Sequence, residues 1–307
     1  MTRIGTDVAV LLCTFNGGRF LSSQLESLHR QVDVGIAIYA SDDGSSDNTL
    51  EILGRSEPTR APVFSRQGPG DGAAQNFLSL VGDNRISASY FAYADQDDVW
   101  DGDKLSRAVA CLASCDALVP ALYCARTRSL SEGGEIIGLS PKFSRTPSFA
   151  NALVHNIGGG NTMVMNQAAR ELLLAAGRVD VPTHDWWTYL LVSGAGGVVV
   201  YDPEPCLSYR QHESNQIGAN MGFKRRIARY LGAFGGRNRE WSGRNIAALE
   251  KNAELLTSES REILRVFRKS RSGGVLQRIN GVRKAGLYAQ TVTGNLGLFF
   301  ASLLKKI

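Results

Sequence analysis

Polar side chains that could bind a metal ion or a nucleotide follow three apolar runs of the chain. Carboxylates two residues apart can hold a divalent cation, and their hard oxygen atoms suit Mg²⁺ or Mn²⁺. Carboxylates at the end of a strand can also accept hydrogen bonds from a base and from ribose hydroxyls. The side chains are Thr14 and Asn16 after residues 8–13, Asp42 and Asp43 after 36–41, and Asp95 and Asp97 after 90–94.

Each of these clusters also has a purely structural interpretation. The acidic turn after residue 94 would cap the helix that is predicted from Asp103 onward, and the acidic residues 42–47 would cap a helix that begins near Ser46. Residues 14–18, TFNGG, would then form only a tight turn between a strand and a helix. Spacing alone leaves both interpretations open.

The elements that must position these side chains alternate between strand and helix. Strands that alternate with helices of this length imply a mostly parallel sheet with right-handed crossovers. Ligands of such sheets bind beyond the carboxyl ends of the strands, where all three polar clusters lie. The predicted strands are 8–15, 36–44, 62–68 and 90–98, and the predicted helices are 20–29, 45–53 and 73–81.

After residue 116 the pattern becomes mixed. Residues 197–212 contain a proline-rich turn and predict two strands, and the glycines of NIGGGNT (156–162) permit the close approach of a substrate. The other predicted elements are strands at 117–130 and 161–166 and helices at 168–176 and 184–194.

Composition excludes several classes of protein. The chain of 307 residues is 43% hydrophobic and 21% charged, which excludes a wholly disordered chain. Five cysteines without a CxxC pair argue against a disulfide framework or a zinc site and favour a reducing cytosol. No apolar run is long enough to predict a membrane span, and the first residues lack the pattern of a signal peptide.

Charge divides the chain into an acidic body, residues 1–222, and a basic tail, residues 223–307. The body has 16 Lys+Arg and 24 Asp+Glu, a net charge of −8, whereas the tail has 18 and 5, a net charge of +13. The tail is predicted to be helical, with breaks at Gly235–Gly236 and Gly273–Gly274, and its closing sequence NLGLFFASLLKKI is apolar with a cationic end.

The tail has two interpretations. Its basic amphipathic helices could bind an anionic membrane surface, or they could pack on the body with a solvated basic face. The tail helices are also the candidate surface for a homodimer. No nucleic-acid-binding module is recognised, so nucleic acid is not an expected partner.

In combination, TFNG (14–17), DDGSSD (42–47) and DQDD (95–98) resemble the motifs of family 2 glycosyltransferases with the GT-A fold. The resemblance covers residues 7–215. It implies an α/β fold, in which helices flank a Rossmann-like, mostly parallel sheet, with a C-terminal helical extension. The nucleotide-binding half would be residues 1–100, and the acceptor half would be residues 101–222.

The resemblance also implies roles for individual residues. A carboxylate at the place of Asp185 is the general base that deprotonates the acceptor hydroxyl in this family. Asp95 and Asp97 would contact the ribose, the diphosphate and Mg²⁺ or Mn²⁺, with His212 as a further metal ligand. The other residues implied to bind the donor are Thr14, Asn16, Asp42, Asp43, Arg66, Asn76 and Arg210, and those implied to face the acceptor are Gly159, Asn161 and Trp186.

Several of these positions have structural alternatives. Arg66 is also explained as a surface charge, and Asp185 as an acidic residue that the dipole of its helix favours. Of the neighbours Trp186 and Trp187, one is expected to belong to the core. His212 is as readily structural as functional.

The segments ADQDDVW, HDWW and YRQH are similar to the rhamnosyltransferase-like branch of the family, which commonly uses dTDP-rhamnose. They imply an inverting, metal-dependent transfer to a lipid-linked glycan in bacterial surface polysaccharide (O-antigen-type) synthesis, in the cytoplasm on the inner membrane. The alternatives are a UDP-sugar-dependent glucosyl- or galactosyltransferase and a non-catalytic nucleotide-sugar-binding module. A nucleotidyltransferase would need a basic residue near the first strand, and TFNGG contains no lysine.

Overall fold

The computed structural model describes residues 7–55, 61–211 and 237–307. In these residues, nine strands form one sheet: β1 (Val8–Thr14), β2 (Ile36–Asp42), β3 (Val63–Gln67), β4 (Tyr90–Ala94), β5 (Val99–Trp100), β6 (Ala121–Leu130), β7 (Ile136–Leu139), β8 (Val164–Asn166) and β9 (Val198–Arg210). The strand order is β3-β2-β1-β4-β8-β6-β9-β5, and β7 pairs with β6.

The half of the sheet that contains the predicted donor site is parallel. Strand β1 pairs in parallel with β2 and β4, and β2 pairs in parallel with β3, so the carboxyl ends of these strands meet at one edge. Every residue of β1 is buried, and successive side chains such as Leu11 and Leu12 enter the cores on opposite faces of the sheet. A strand buried on both faces is typical of the centre of a parallel sheet.

Helices cover both faces of the sheet. One face packs against α3, α5, α6 and α7, and the other packs against α1, α2 and α4. Their bounds are α1 (Leu21–His29), α2 (Thr49–Gly54), α3 (Ala73–Val81), α4 (Lys104–Leu112), α5 (Phe149–Ala152), α6 (Gln167–Ala176) and α7 (His184–Gly194). Strand β8 pairs in antiparallel fashion with β4 and β6, so the sheet is mixed. The predicted α/β class is confirmed.

The prediction of two strands around the proline-rich turn at 197–212 is wrong, because β9 is a single strand. The parallel ladder of β6 and β9 shifts its register where Ala125 pairs with Asp202 and Arg126 pairs with Pro205. The two residues of β9 between these pairs therefore have no partner in the ladder. A bulge at this point accommodates prolines, which have no N–H to donate, without ending the strand.

The described part of the tail consists of four helices, and it packs on the body. Leu249 and Phe267 lie in the same core cluster as α3 and α7, and the Asn151 side chain donates from Nδ2 to the main-chain oxygen of Tyr288 at 2.7 Å. The helices are α8 (Arg237–Lys251), α9 (Ser258–Ser272), α10 (Val275–Lys284) and α11 (Val292–Leu303).

The predicted break at Gly273–Gly274 is confirmed, since α9 ends before it and α10 begins after it. The predicted break at Gly235–Gly236 and the predicted boundary between body and tail at 222/223 lie outside the described residues. Among the described helices, none combines the length and the apolar character needed to span a membrane.

Candidate active site

The first acidic cluster lies where β1 and β2 end, and its central carboxylate, that of Asp42, is buried. The hydroxyls of Thr14 and Ser45 donate to Asp42 Oδ2 at 2.7 and 2.6 Å. The main-chain amides of Ser45 and Gly44 donate to Oδ1 at 2.7 and 3.1 Å. Burial alone would raise the pKa of Asp42, but these hydrogen bonds outweigh it and lower the pKa. Asp42 is an ionised anchor that joins the two strand ends.

Asn16 joins the same two loops at the surface. The main-chain amide of Asn16 donates to Ser45 Oγ at 2.8 Å, and its side-chain Oδ1 accepts a hydrogen bond from the main-chain amide of Ser46 at 2.9 Å. The backbone of Asn16 has a φ of 48°, a left-handed conformation that asparagine tolerates well. Beside it, the Gln96 side chain accepts from the Phe15 amide at 2.8 Å and donates to the Phe15 carbonyl at 3.0 Å, so β1 is also tied to the DQDD motif.

Asp43 holds the glycine-rich loop that follows β3. Its carboxylate accepts hydrogen bonds from the amides of Gly70 at 2.7 Å and Gly72 at 3.0 Å. Both glycines have positive φ, 72° and 84°, which side chains disfavour. A Cβ atom at Gly68 would lie only 2.6 Å from Asp43 Oδ1, so the loop can approach the carboxylate only as glycine.

Asn76 and Arg66 lie behind this loop, on α3 and β3. Asn76 is buried and donates from Nδ2 to the main-chain oxygen of Ser41 at 2.9 Å, while its Oδ1 has no hydrogen-bond partner in the described part of the chain. Arg66 donates from Nη2 to Ser79 Oγ at 2.6 Å, and its Nη1 lies 3.8 Å from Asp83 Oδ2. The guanidinium of Arg66 is therefore bonded to α3 and the turn after it.

The second acidic cluster follows β4, and here carboxylates face other carboxylates. Burial, together with the charges of Asp97 and Asp185, raises the pKa of Asp95 to about 8. The structure thus brings Asp185, which is 90 residues away in the sequence, into electrostatic contact with the DQDD motif. Mutual repulsion of this kind is relieved by a cation.

Asp98 is the fully buried member of the second cluster. Its Oδ2 accepts a hydrogen bond from Asn161 Nδ2 at 2.5 Å, and its carboxylate also accepts one from the main-chain amide of Arg210. Burial and the charges of Asp97 and Asp95 nevertheless raise its pKa well above the usual value. Asp98 connects the end of β4, the glycine loop before β8 and the end of β9.

Asp185 is the second residue of α7 and is buried. Its Oδ2 accepts a hydrogen bond from the Gly160 amide at 3.1 Å, and its Oδ1 accepts one from the Trp186 amide at 2.6 Å. These two bonds fix the orientation of the carboxylate. Both predictions for this residue, a helix N-terminal acid and a site residue, are compatible with this position.

His184 packs beneath the second cluster. Its ring stacks on Phe77 with centroids 3.8 Å apart and meets Tyr93 edge-on at 4.6 Å. Burial lowers the pKa of His184 to about 4, against the opposing influence of Asp185, so the ring is neutral at pH 7. A Cβ atom at Gly160 would lie 2.4 Å from His184 Nε2, which explains the glycine at that position.

The residues predicted to face the acceptor lie around Asp185. Trp186 is half-buried, donates from Nε1 to the Ala152 carbonyl at 2.7 Å, and meets Trp241 of the tail with ring centroids 6.5 Å apart. Trp187 is fully buried, which confirms that one of the two tryptophans belongs to the core. Gly159 is exposed in the loop that precedes Asn161.

Arg210 lies at the end of β9. Its guanidinium is 4.8 Å from the centroid of the Phe20 ring, and its Nη1 donates to the Glu132 carbonyl at 3.3 Å. His212, predicted as a metal ligand, lies outside the described residues. Within residues 7–55, 61–211 and 237–307, no group of three or more histidine, cysteine, aspartate or glutamate side chains is arranged to hold a metal ion.

The sequence analysis missed four residues that organise the site. Ser45 and Gln96 hold the strand-end loops, Asp98 connects three elements, and His184 fills the floor. Ser45, Gln96 and Asp98 lie inside the motifs DDGSSD and DQDD. Their position in these motifs was the available signal.

A mixed sheet with carboxylates at the ends of its parallel strands and a helical extension is the arrangement expected of a GT-A glycosyltransferase, and the comparisons establish that class. The chain belongs to glycosyl transferase family 2, whose family model matches residues 9–173. Over 236 residues it is 31% identical to the dTDP-rhamnosyl transferase RfbG of Shigella flexneri, an alignment that covers 71% of this chain and 77% of that protein. The chain is therefore a rhamnosyltransferase-like family 2 glycosyltransferase.

Solved structures are similar in fold. Residues 1–349 of S. aureus TarS in complex with UDP-GlcNAc align with a TM-score of 0.55 and 12% identity, covering 97% of this chain and 90% of that one. The mannosyltransferase PcManGT from Pyrobaculum calidifontis, in complex with GDP-Man and Mn²⁺, aligns with a TM-score of 0.52 and 16% identity, covering 99% and 88%. At such identities the likeness concerns the fold alone, and it confirms the predicted GT-A architecture.

Proposed function

We propose that this enzyme transfers rhamnose, with inversion, from dTDP-rhamnose to a lipid-linked glycan during the synthesis of a bacterial surface polysaccharide. The observation that carries the proposal is the convergence of Asp185 with the carboxylates of the DQDD motif at the ends of the parallel strands. The dTDP-rhamnosyl transferase of Shigella flexneri supports the choice of donor. A UDP-sugar is the second candidate donor, because TarS, which shares the fold, binds UDP-GlcNAc.

The first acidic cluster would bind the nucleoside. Thr14, Asn16 and Asp42 form one hydrogen-bonded unit at the ends of β1 and β2, which gives the pocket a fixed shape. The buried Oδ1 of Asn76 can accept a hydrogen bond from a base N–H, and Asp43 holds the glycine loop nearby. Arg66 would contribute positive charge behind the pocket.

Asp95 and Asp97 would hold Mg²⁺ or Mn²⁺. Their oxygen ligands suit either ion, and the raised pKa of Asp95 reflects a negative charge that a divalent cation neutralises. His212 is the proposed further ligand. When bound, the cation stabilises the negative charge that develops on the departing diphosphate. Arg210, at the end of β9, would neutralise phosphate charge from the protein side.

Asp185 would act as the general base. The amides of Gly160 and Trp186 fix its carboxylate, so that it can accept the proton of an acceptor hydroxyl. The hydroxyl oxygen then forms a bond to C1 of the sugar while the bond from C1 to the diphosphate oxygen breaks, and the electron pair leaves with the nucleoside diphosphate. Attack from the face opposite the leaving group inverts C1. Gly159, Asn161 and Trp186 would line the acceptor side.

The proposed location is the cytoplasmic face of the inner membrane, where a lipid-linked acceptor is available. The support for this location is the charge of the tail, +13 against −8 for the body. A basic segment is attracted to anionic lipid, at about 1 kcal/mol for each charge near the surface. If a chain that ends at residue 222 still binds vesicles, the tail is not the segment that binds the membrane.

The proposal is tested by thermal unfolding with dTDP-, UDP- and GDP-sugars, each with and without Mn²⁺. A ligand at 100 times its Kd stabilises the folded state by about 2.7 kcal/mol, which corresponds to a rise in Tm of roughly 5–10 °C. We expect that rise with dTDP-rhamnose and Mn²⁺ together. If Tm rises with a UDP-sugar and not with dTDP-rhamnose, the assignment of the donor changes to a UDP-sugar. If Tm rises with no nucleotide sugar, the result contradicts the proposed function.

A further inference from the structure

Helix α11 carries most of its large apolar side chains on the side that faces solvent. Residues at i, i+4, i+7, i+8 and i+12 share one face of a helix. These positions are occupied by Val292, Leu296, Phe299 and Phe300 in α11 and by Leu304 directly after it, which are 81%, 51%, 49%, 45% and 55% exposed. Single exposed apolar residues are ordinary, but a contiguous set marks a binding surface. We call these five residues the outer face of α11.

The opposite side of α11 is held against the protein, where Leu298 and Ala301 pack on the core and polar groups add hydrogen bonds. Asn295 donates from Nδ2 to the carbonyls of Ala289 and Thr291 at 2.8 and 2.7 Å. Ser302 is buried, and Arg278 donates to its carbonyl at 2.5 Å and to the next carbonyl at 2.9 Å. The helix is thus fixed to the protein through both apolar and polar contacts of its inner side, while the larger apolar residues of its outer face stay exposed.

The surrounding sequence is cationic. Residues 263–307 contain nine Lys+Arg and no Asp or Glu. Arg283 and Lys284 are exposed at the end of α10, and Lys305 is exposed directly after the outer face of α11. An apolar helical face bordered by basic side chains is the pattern of helices that lie in the interface of an anionic bilayer.

We propose that the outer face of α11 is a docking surface for an anionic lipid bilayer. The helix would lie in the plane of the membrane, with Phe299, Phe300 and their apolar neighbours among the lipid chains and the nearby basic side chains at the headgroups. A helix of 12 residues is about 18 Å long, which suits an interfacial orientation. The proposal rests on the proposed function, in which the acceptor is lipid-linked.

Charge distinguishes this partner from a second copy of the chain. Two outer faces paired with each other would bring two segments together that each carry nine basic residues and no acidic one. Such like charges repel. An anionic bilayer covers the same apolar area and neutralises the charge.

The test is co-sedimentation of the full chain with vesicles of phosphatidylglycerol and phosphatidylcholine in equal parts, and with vesicles of phosphatidylcholine alone. We expect binding to the anionic vesicles, weaker binding to the neutral ones, and further weakening by salt. The double variant Phe299→Gln and Phe300→Gln is expected to bind anionic vesicles with an affinity that is lower by roughly tenfold or more. Its Tm is expected to be unchanged, because both side chains are exposed.

A matched control removes two exposed apolar side chains from the body. The double variant Leu118→Gln and Ile136→Gln, at positions that are 88% and 64% exposed, is expected to bind vesicles as the wild type does. Undiminished binding of the Phe299/Phe300 variant, or equal binding to neutral and anionic vesicles, would overturn the proposal. The proposal would also be overturned if the wild type forms a dimer in analytical ultracentrifugation but does not bind vesicles, and if the Phe299/Phe300 variant no longer forms that dimer.

The proposed function and this proposal fail separately. A chain that shows no Tm shift with any nucleotide sugar but binds anionic vesicles through the outer face of α11 would contradict the function and keep the docking surface. A chain that binds dTDP-rhamnose but no vesicle would do the opposite.

Discussion

The two acidic clusters of the body are built in opposite ways. Around Asp42, N–H and O–H groups surround the carboxylate, and its pKa is lowered because these hydrogen bonds outweigh burial. Around Asp95, other carboxylates are the neighbours, and burial with the charges of Asp97 and Asp185 raises its pKa to about 8. The first cluster satisfies its charge within the protein, whereas the second does not.

This difference is the one that the proposed function requires between a preformed nucleoside pocket and a site that a cation completes. Protein groups alone hold the strand-end loops around Asp42 in place. Crowded carboxylates around Asp95 cost stability, a pattern that is typical of functional sites. We therefore expect opposite effects of substitutions in the two clusters.

The largest expected effect belongs to Asp185, the proposed general base. In Asp185→Asn the amide oxygen can still accept a hydrogen bond from the Gly160 amide, so the loop is retained while the basic group is lost. We expect the rate of transfer to fall by about 10²–10⁴-fold, with donor binding unchanged. The measurement is kcat together with the Kd of the donor.

Asp180→Asn is the matched control for this substitution. Asp180 precedes α7 and makes an exposed ion pair with Arg244, so its loss is expected to leave transfer unchanged. Transfer at the wild-type rate by Asp185→Asn would remove the assignment of the base.

The next effect is on stability, and its sign distinguishes the clusters. Asp42→Ala leaves the Thr14 hydroxyl and the donors of Ser45 without an acceptor, and we expect the free energy of unfolding to fall by about 3 kcal/mol. Asp97→Asn removes one of the repelling charges, and we expect the metal-free protein to be as stable as the wild type or more so. Denaturant unfolding measures both, and equal losses would show that the clusters are built alike.

A smaller effect concerns pH, because His184 provides no positive charge to the second cluster near neutral pH. The pKa of His184 is lowered to about 4 by burial, against an ordinary value of 6.5. Below pH 6.5 the unfolded chain binds a proton that the folded chain does not, so stability falls as the pH falls toward 4. From pH 6.5 to pH 5 we expect this residue to cost about 2 kcal/mol.

The check is the slope of the unfolding free energy against pH in the wild type and in His184→Gln. The variant is expected to have a shallower slope over this range, whatever its absolute stability. An identical slope would show that His184 is not buried in its neutral form.

Much of the nucleotide-binding half could be predicted from the sequence, because periodicity locates strands and the carboxyl ends of parallel strands must share an edge. The contact of Asp185 with the DQDD motif followed only from the family resemblance. The hydrogen bonds of Asp98 to Asn161 and Arg210 could not be predicted, since they join segments that are distant in the sequence.

Two other features depend on tertiary packing. Proline residues argue against a continuous β9, yet its partner β6 holds both halves through a bulge. The sequence of α11 is apolar over most of the circumference of the helix, so only the structure indicates which side packs on the protein. The local sequence determines the order of apolar and polar residues, and the neighbouring elements determine which of these residues are buried.

The central claim is that the second acidic cluster is completed by a cation. Isothermal titration of Mn²⁺ into the dTDP-saturated protein, in the wild type, Asp97→Ala and the control Asp180→Ala, tests it most directly. We expect one Mn²⁺ per chain in the wild type and in Asp180→Ala, and none in Asp97→Ala. Absence of Mn²⁺ binding to the wild type, or undiminished binding to Asp97→Ala, would contradict it.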